Sequence, residues 1–263
     1  MSSGSPSTTH PPVLLTSVLG LSGPSPTLKS DDLSRPFVTL TFAQSLDGKI
    51  AGRGGKQLIL SGKESMLMTH WMRTMHDAIL IGIGTALNDN PQLNTRHLPP
   101  RAATEGRYHL PRPVILDSHC RLKADCKLLN NYNAGVGRRP WIICSPAAPT
   151  LNREALERAG AKIIETEETD GKICIPTLLK VLKDLDVQSV MVEGGASIIA
   201  SFLAQAHPAI GSLDAIIVTV APVFVGDDGT GYGIGLSGDQ IPQLQHVRTE
   251  LMGQDTVVAV KPR

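Results

Sequence analysis

The sequence predicts an α/β domain built on a mostly parallel central sheet flanked by helices. Short, β-branched apolar runs recur along the chain, and segments of helical spacing lie between several of them. The runs are apolar on both faces, as strands covered on each side by helices must be.

Taken in order, residues 1–34 come first. The first 28 contain no Asp, Glu, Lys or Arg and are crowded with Ser, Thr, Pro and Gly, so a disordered tail is expected. Val13–Leu21 is mildly apolar, but no basic stretch precedes it as in a secretory signal, and no arginine marks a mitochondrial presequence. The domain is then expected over residues 35–263. Phe37–Ala43 alternates, with Val38, Leu40 and Phe42 on one face and Thr39 and Thr41 on the other, the period of a strand. Ala78–Ile83, Val114–Leu116, Trp141–Cys144, Lys162–Ile164, Val190–Val192, Ala215–Val220 and Val257–Val260 read as further buried strands.

Helices are expected between them. Ser61-Gly62-Lys63-Glu64 spells a capping box, followed by Leu67, Trp71 and Met75 at every fourth position. Asn152 is expected to cap a helix that Gly160 ends. Pro176 suits the first turn of a helix carrying Leu178, Leu179, Leu182 and Leu185. Another helix is expected from about Ala196 to Ala206. The stretches 97–112 and 127–139, with their Pro, Gly, Asn and Arg, read as surface insertions.

Composition removes several function classes. The chain has 25 basic and 24 acidic residues for a net charge of +1, so bulk charge does not direct it to nucleic acid or to an anionic membrane. Aromatics are only 3%, which argues against a base-stacking surface. The four cysteines form no C-x-x-C pair and the eight histidines no H-x-x-x-H, so no metal site is expected. So few cysteines in a chain of this length favour a reducing, cytoplasmic compartment.

Four places carry candidate chemistry. Val190–Ser197 runs from a strand through Glu193-Gly194-Gly195 into a helix. Two glycines permit close backbone approach, and the helix start offers free N–H groups, which suits a phosphate; a plain tight turn fits the same letters. Ile81–Arg96 runs from a strand into a loop of Thr85, Asn88, Asp89, Asn90 and Arg96, placed where α/β sheets bind ligands. Arg73 lies about 200° around the helix from Trp71 and Met75, off the apolar stripe, and spacing alone reads it as solvated. Asp47, in a turn after the first strand, is a candidate acid.

Taken together, Ser45–Ala51, Met72-Arg73 before His76–Leu80, Gly84-Thr85 with Asp89–Leu93 and Arg96, Leu116-Asp117-Ser118, Glu193-Gly194-Gly195 and Ala221-Pro222 resemble, in this order, the reductases of the riboflavin pathway. The zinc-deaminase motifs that accompany this domain in bacterial relatives are absent, which resembles the stand-alone fungal or archaeal type. The resemblance implies a dihydrofolate-reductase-like fold over roughly residues 36–260 and a homodimer. It implies hydride transfer from NADPH to C1′ of a ring-opened ribosylaminopyrimidine 5′-phosphate, a small phosphorylated pyrimidine. Position by position, it places Thr85, Asp89, Gly194, Gly195, Ala196 and Ser197 at the cofactor, with Ala43, Ile59, Ser118 and Ile164 beside it. Arg73, Leu93, Arg96, Glu193 and Gln57 fall at the substrate, with Arg73 and Arg96 expected on its phosphate. Ile59 departs from the tryptophan usual in bacterial members. The proton is left to water or to Asp47. Two other readings stand beside this one: a pteridine or folate reductase on the same fold, and a nucleotide-binding module without turnover. A pterin carries no phosphate for two arginines to hold, and the complete set of matched residues argues against lost turnover.

Overall fold

The computed structural model describes residues 10–21, 28–29, 34–102, 104, 106–169, 171–206, 211–233 and 243–263. In chain order the elements are α1 (Val13–Val18), β1 (Phe37–Gln44), β2 (Lys49–Ala51), α2 (Lys63–Met75), β3 (Ala78–Gly82), α3 (Ile83–Asp89), β4 (Arg112–Leu116), α4 (Lys127–Asn133) and β5 (Trp141–Cys144). There follow α5 (Thr150–Arg158), β6 (Lys162–Glu165), β7 (Glu168–Thr169), β8 (Lys172–Ile173), α6 (Ile175–Asp184), β9 (Ser189–Glu193) and α7 (Ala196–Ala204). The chain closes with β10 (Ala215–Val220), β11 (Thr230–Gly231), β12 (Leu244–Met252) and β13 (Asp255–Pro262).

Nine strands form one sheet in the order β12-β13-β10-β1-β9-β3-β4-β5-β6. From β10 to β6 all neighbours are parallel, and β13 and β12 add an antiparallel margin. The eight expected strand runs all lie in this sheet. Their side chains alternate between two cores. Ile79, Ile81, Ile115, Ile142 and Met191 meet the layer that includes α2, α4 and α5. Ala78, Leu80, Val114, Ile143, Val190 and Val192 meet α6 and α7. Strands buried on both faces are why the sequence shows solid apolar runs instead of alternation.

Strand β9 lies between β1 and β3, although β3 to β6 precede it in the chain. Its start is fixed by Asp77, whose Oδ2 accepts the N–H groups of Gln188 and Ser189 at 2.9 and 3.1 Å. Arg35 pairs with Asp214 at 2.6 Å, tying the start of β1 to that of β10.

Several expectations are corrected. The tail is not disordered throughout. Within it α1 buries Leu14, Leu15, Val18 and Leu19 in the core that holds Met68, Trp71, Met72 and Met75, and Leu28 is buried too. Its apolar side chains fall on one helical face, and that pattern outweighs the polar composition around it. Residues 1–9, 22–27 and 30–33 of the expected tail lie outside the described residues. No side chain caps α2; the N–H of its N-cap residue Gly62 donates instead to Asp255 Oδ2 at 2.7 Å. Asn152 sits inside α5, which begins behind Pro149, and its amide donates to His119 O at 3.1 Å. Gly160, at φ 107°, does follow the end of that helix, and Pro176 does stand in the first turn of α6. The 127–139 stretch holds α4, with Leu128 and Leu129 buried.

Candidate active site

The parallel strands β1, β9, β3 and β4 all point their C-terminal ends at one cleft of about 1090 Å³. In an open α/β sheet that is the side where loops leave the sheet and peptide groups stay unpaired. Ala43, Gln57, Ile59, Arg73, Thr85, Asp89, Leu93, Arg96, Ser118, Glu193, Gly194, Gly195, Ala196 and Ser197 all line it. Residues spread over 155 positions of sequence thus meet in one place.

One half of the cleft suits an anion. Strand β9 is followed by Gly194-Gly195, and α7 starts at once, with no side chain among the described residues capping its first N–H groups. Gly194 is required by packing: a Cβ there would lie 2.8 Å from Ile198 Cβ. At Gly195 an added Cβ would stand 3.0 Å from Thr85 Oγ1, a tight contact in the space between the starts of α3 and α7. Backbone N–H groups, a positive helix end and the hydroxyls of Thr85 and Ser197 meet here, donors of the kind an anionic group needs. Asp89, at the end of α3, accepts a bond from Asn88 at 2.7 Å, and partial burial raises its pKa.

The other half is set by charge. Arg73, only 8% exposed, grips Glu193 with two donors, Nε to Oε1 at 3.0 Å and Nη2 to Oε2 at 2.8 Å. Its Nη1 donates to Asn94 O at 3.1 Å. The spacing-based reading of a solvated arginine is therefore corrected: Arg73 leaves the apolar stripe toward a carboxylate 120 positions away. The same fork that the resemblance expected on the substrate phosphate is engaged here by Glu193, at the wall of the cleft. Arg96 differs. Among the described residues its guanidinium makes no hydrogen bond or ion pair, while its backbone N–H donates to His70 Nδ1 at 3.1 Å. Partial burial, and then the neighbouring charge of Arg73, lower its pKa.

Two expected residues lie elsewhere. Ile164 does not line the cleft; its side chain packs into the core with Trp141, Ile143 and Ile175. Asp47 does not line it either. Its carboxylate accepts from Ser45 Oγ at 2.5 Å, Val225 N at 3.1 Å and Gly226 N at 2.7 Å. The Ser45 bond first, and then the Gly226 bond, lower its pKa to about 2. An acid so weakly basic is a loop clamp and a poor proton donor near neutrality. Ile59 lines the cleft but is 90% exposed, an apolar side chain at the rim. Sequence reasoning missed His70, which lines the cleft three residues before Arg73. That spacing puts both on one helix face and is the signal that was available.

The family profile described as RibD C-terminal domain matches residues 36–258. The 2,5-diamino-6-ribosylamino-4(3H)-pyrimidinone 5′-phosphate reductase of Debaryomyces hansenii is 37% identical over 204 residues, 74% of this chain and 78% of that protein. The protein of the same name from Saccharomyces cerevisiae is 34% identical over 197 residues, 74% of this chain and 75% of its own length. The solved structure of the S. cerevisiae riboflavin biosynthesis reductase Rib7 matches with a TM-score of 0.69 at 27% identity, covering 89% of this chain and 93% of that one. The central sheet and its two helical layers are thus the dihydrofolate-reductase-like arrangement that the residues resembled. The profile runs from the start of β1 into β13, and the chain belongs to the RibD C-terminal domain family of riboflavin-biosynthesis reductases.

Proposed function

We propose that this chain reduces the ribosyl side chain of 2,5-diamino-6-ribosylamino-4(3H)-pyrimidinone 5′-phosphate to the ribityl form, with NADPH as reductant. The observation that carries the reading is the pairing, in one cleft, of a Gly-Gly helix start with an Arg96 cation, neither of which has a side-chain partner among the described residues. The first fits the diphosphate of a dinucleotide: Gly195 leaves open the space a Cβ would fill, beside Thr85. The second fits a substrate phosphate. When bound, NADPH supplies hydride to C1′ of the ring-opened imine.

The chain's own residues bind and orient. Glu193, fixed from behind by Arg73, offers carboxylate oxygens toward the amino-rich pyrimidine ring. Arg96 holds the phosphate, and Leu93 and Gln57 line the same side. Holding donor and acceptor together is the main demand of a hydride transfer. With Asp47 engaged outside the cleft, the proton to nitrogen comes from water. The reading also carries a homodimer, the commonest closed symmetry of soluble oligomers. It carries a cytoplasmic setting too, in keeping with four free thiols. No helix among the described residues is long and apolar enough to cross a membrane.

Two outcomes test it. Arg96→Ala is expected to lower kcat/KM for the phosphorylated substrate by roughly 10- to 150-fold, the worth of one hydrogen bond to a charged group. Turnover of the dephosphorylated nucleoside is expected to hold. An equal loss on both substrates assigns Arg96 to the ring or the cofactor. Gly195→Val is expected to weaken NADPH binding in calorimetry by about 10-fold or more, with circular dichroism unchanged, since the added side chain fills the diphosphate space. Undiminished affinity moves the cofactor elsewhere.

A further inference from the structure

The loop that carries Arg96 is held in an unfavourable backbone shape. Asn90, Leu93 and His97 have φ of 42°, 53° and 61°, left-handed values at residues other than glycine. Such residues persist only where surrounding contacts impose them. The contacts are visible one by one. Leu93 and Asn94 are buried; Asn94 O takes Arg73 Nη1, and Asn94 Nδ2 donates to Val136 O at 3.0 Å. Thr95 Oγ1 donates to His109 O at 2.9 Å. At Arg96 the anchor is His70, through its Nδ1.

His70 is 1% exposed, and the His97 ring packs edge-on against it at 5.0 Å. Burial first, then the charges of Arg73, His97 and Arg96, hold its pKa down to about 3. The ring is therefore neutral at working pH, with Nδ1 as acceptor and the proton on Nε2. The residue type matters here. The position needs an acceptor for a peptide N–H beside two guanidinium groups. A carboxylate would accept that bond and also capture a guanidinium. An imidazole lone pair accepts it and leaves the Arg96 fork free.

We propose that His70 is a positioning residue: its uncharged Nδ1 pins the Arg96 peptide so that the Arg96 guanidinium faces the substrate phosphate unpaired. The inference rests on the phosphate role of Arg96 given above, and it assigns to His70 the orientation and the vacancy of that cation.

The experiment compares three variants of the full chain with Arg96→Ala. It measures kcat and KM on the phosphorylated substrate and on its nucleoside, NADPH affinity by calorimetry, and the melting temperature. His70→Leu removes the acceptor. It is expected to raise KM for the phosphorylated substrate by about 10-fold, the upper worth of a neutral hydrogen bond, with kcat and NADPH affinity within about 2-fold. His70→Asn places an amide oxygen where Nδ1 was and is expected to restore KM to within about 3-fold of the parent. His70→Asp restores an acceptor but adds charge, and it is expected to lose as much as the leucine variant because Arg96 is captured. A KM change equal on both substrates, or an asparagine variant no better than leucine, overturns the proposal. If leucine fails to fold, the contrast of asparagine with aspartate decides: equal KM values sink it. If Arg96→Ala itself ignores the phosphate, the underlying reading fails and takes this one with it. If Arg96→Ala is selective and His70→Leu is not, only the role of His70 fails.

Discussion

Alanine at Leu14 or Leu15 is expected to lower the unfolding free energy by about 2–5 kcal/mol, the range for a buried leucine cut back to alanine. Both side chains are fully buried in the core shared with α2. For a chain of this size the loss corresponds to a fall of roughly 4–20 °C in melting temperature. Val13, on the same short helix but 62% exposed, is the control, and its alanine variant is expected to melt with the parent. A protein truncated at Ser34 is expected to be less stable still, because it removes Leu14, Leu15, Val18, Leu19 and Leu28 from that core at once. Urea midpoints read the effect directly. An unchanged midpoint for Leu14→Ala shows that α1 rests on the domain without contributing to it.

Arg73→Ala is expected to be the most damaging change in the cleft. It leaves Glu193 without either of its two donors and removes the donor to Asn94 O. Removing one partner of a buried ion pair costs about 3–5 kcal/mol, or roughly 150- to 5,000-fold if all of it falls on catalysis. A drop in kcat/KM of at least about 100-fold is expected on the phosphorylated substrate and on its nucleoside alike, because Glu193 and the Asn94 loop are both disturbed. That common loss separates Arg73 from Arg96. Arg73→Lys is expected to recover little, since an ammonium cannot span both carboxylate oxygens and the Asn94 carbonyl in one plane. A loss confined to the phosphorylated substrate returns Arg73 to the phosphate and contradicts the commitment to Glu193.

What could be read from the letters followed the range of the forces involved. The parallel strands were legible because burial on both faces writes solid apolar runs into β3, β4, β5 and β9. Strand β12 was not, because it lies at the sheet margin and most of Leu244–Met252 is exposed, so it carries no such run. Helix α1 was hidden because six residues of pattern were averaged into a polar, proline-rich stretch. The Gly-Gly turn of the cleft was legible because strand, turn and helix start are adjacent. Arg73 could not be placed from its wheel angle, since its partner Glu193 comes from a strand 120 positions away. Asp47 misled for the same reason: the N–H groups that engage it belong to Val225 and Gly226, 178 and 179 positions away.

The late arrival of β9 between β1 and β3 governs when this protein becomes competent. A nascent chain that has emerged only as far as β6 holds β1 and β3 to β6 but lacks the strand that joins them, so the edges of β1 and β3 that face it stay open. Glu193, Gly194 and Gly195 arrive with that strand, so the act that joins β1 to β3 also brings this wall of the cleft. Long-range pairing of this kind slows folding, because loop closure must precede the contacts that reward it. Open edges in the meantime invite pairing with other chains. A chain not yet translated to the end of β9 lacks Glu193, the Gly-Gly turn and the helix start together, so none of the three is presented before the others.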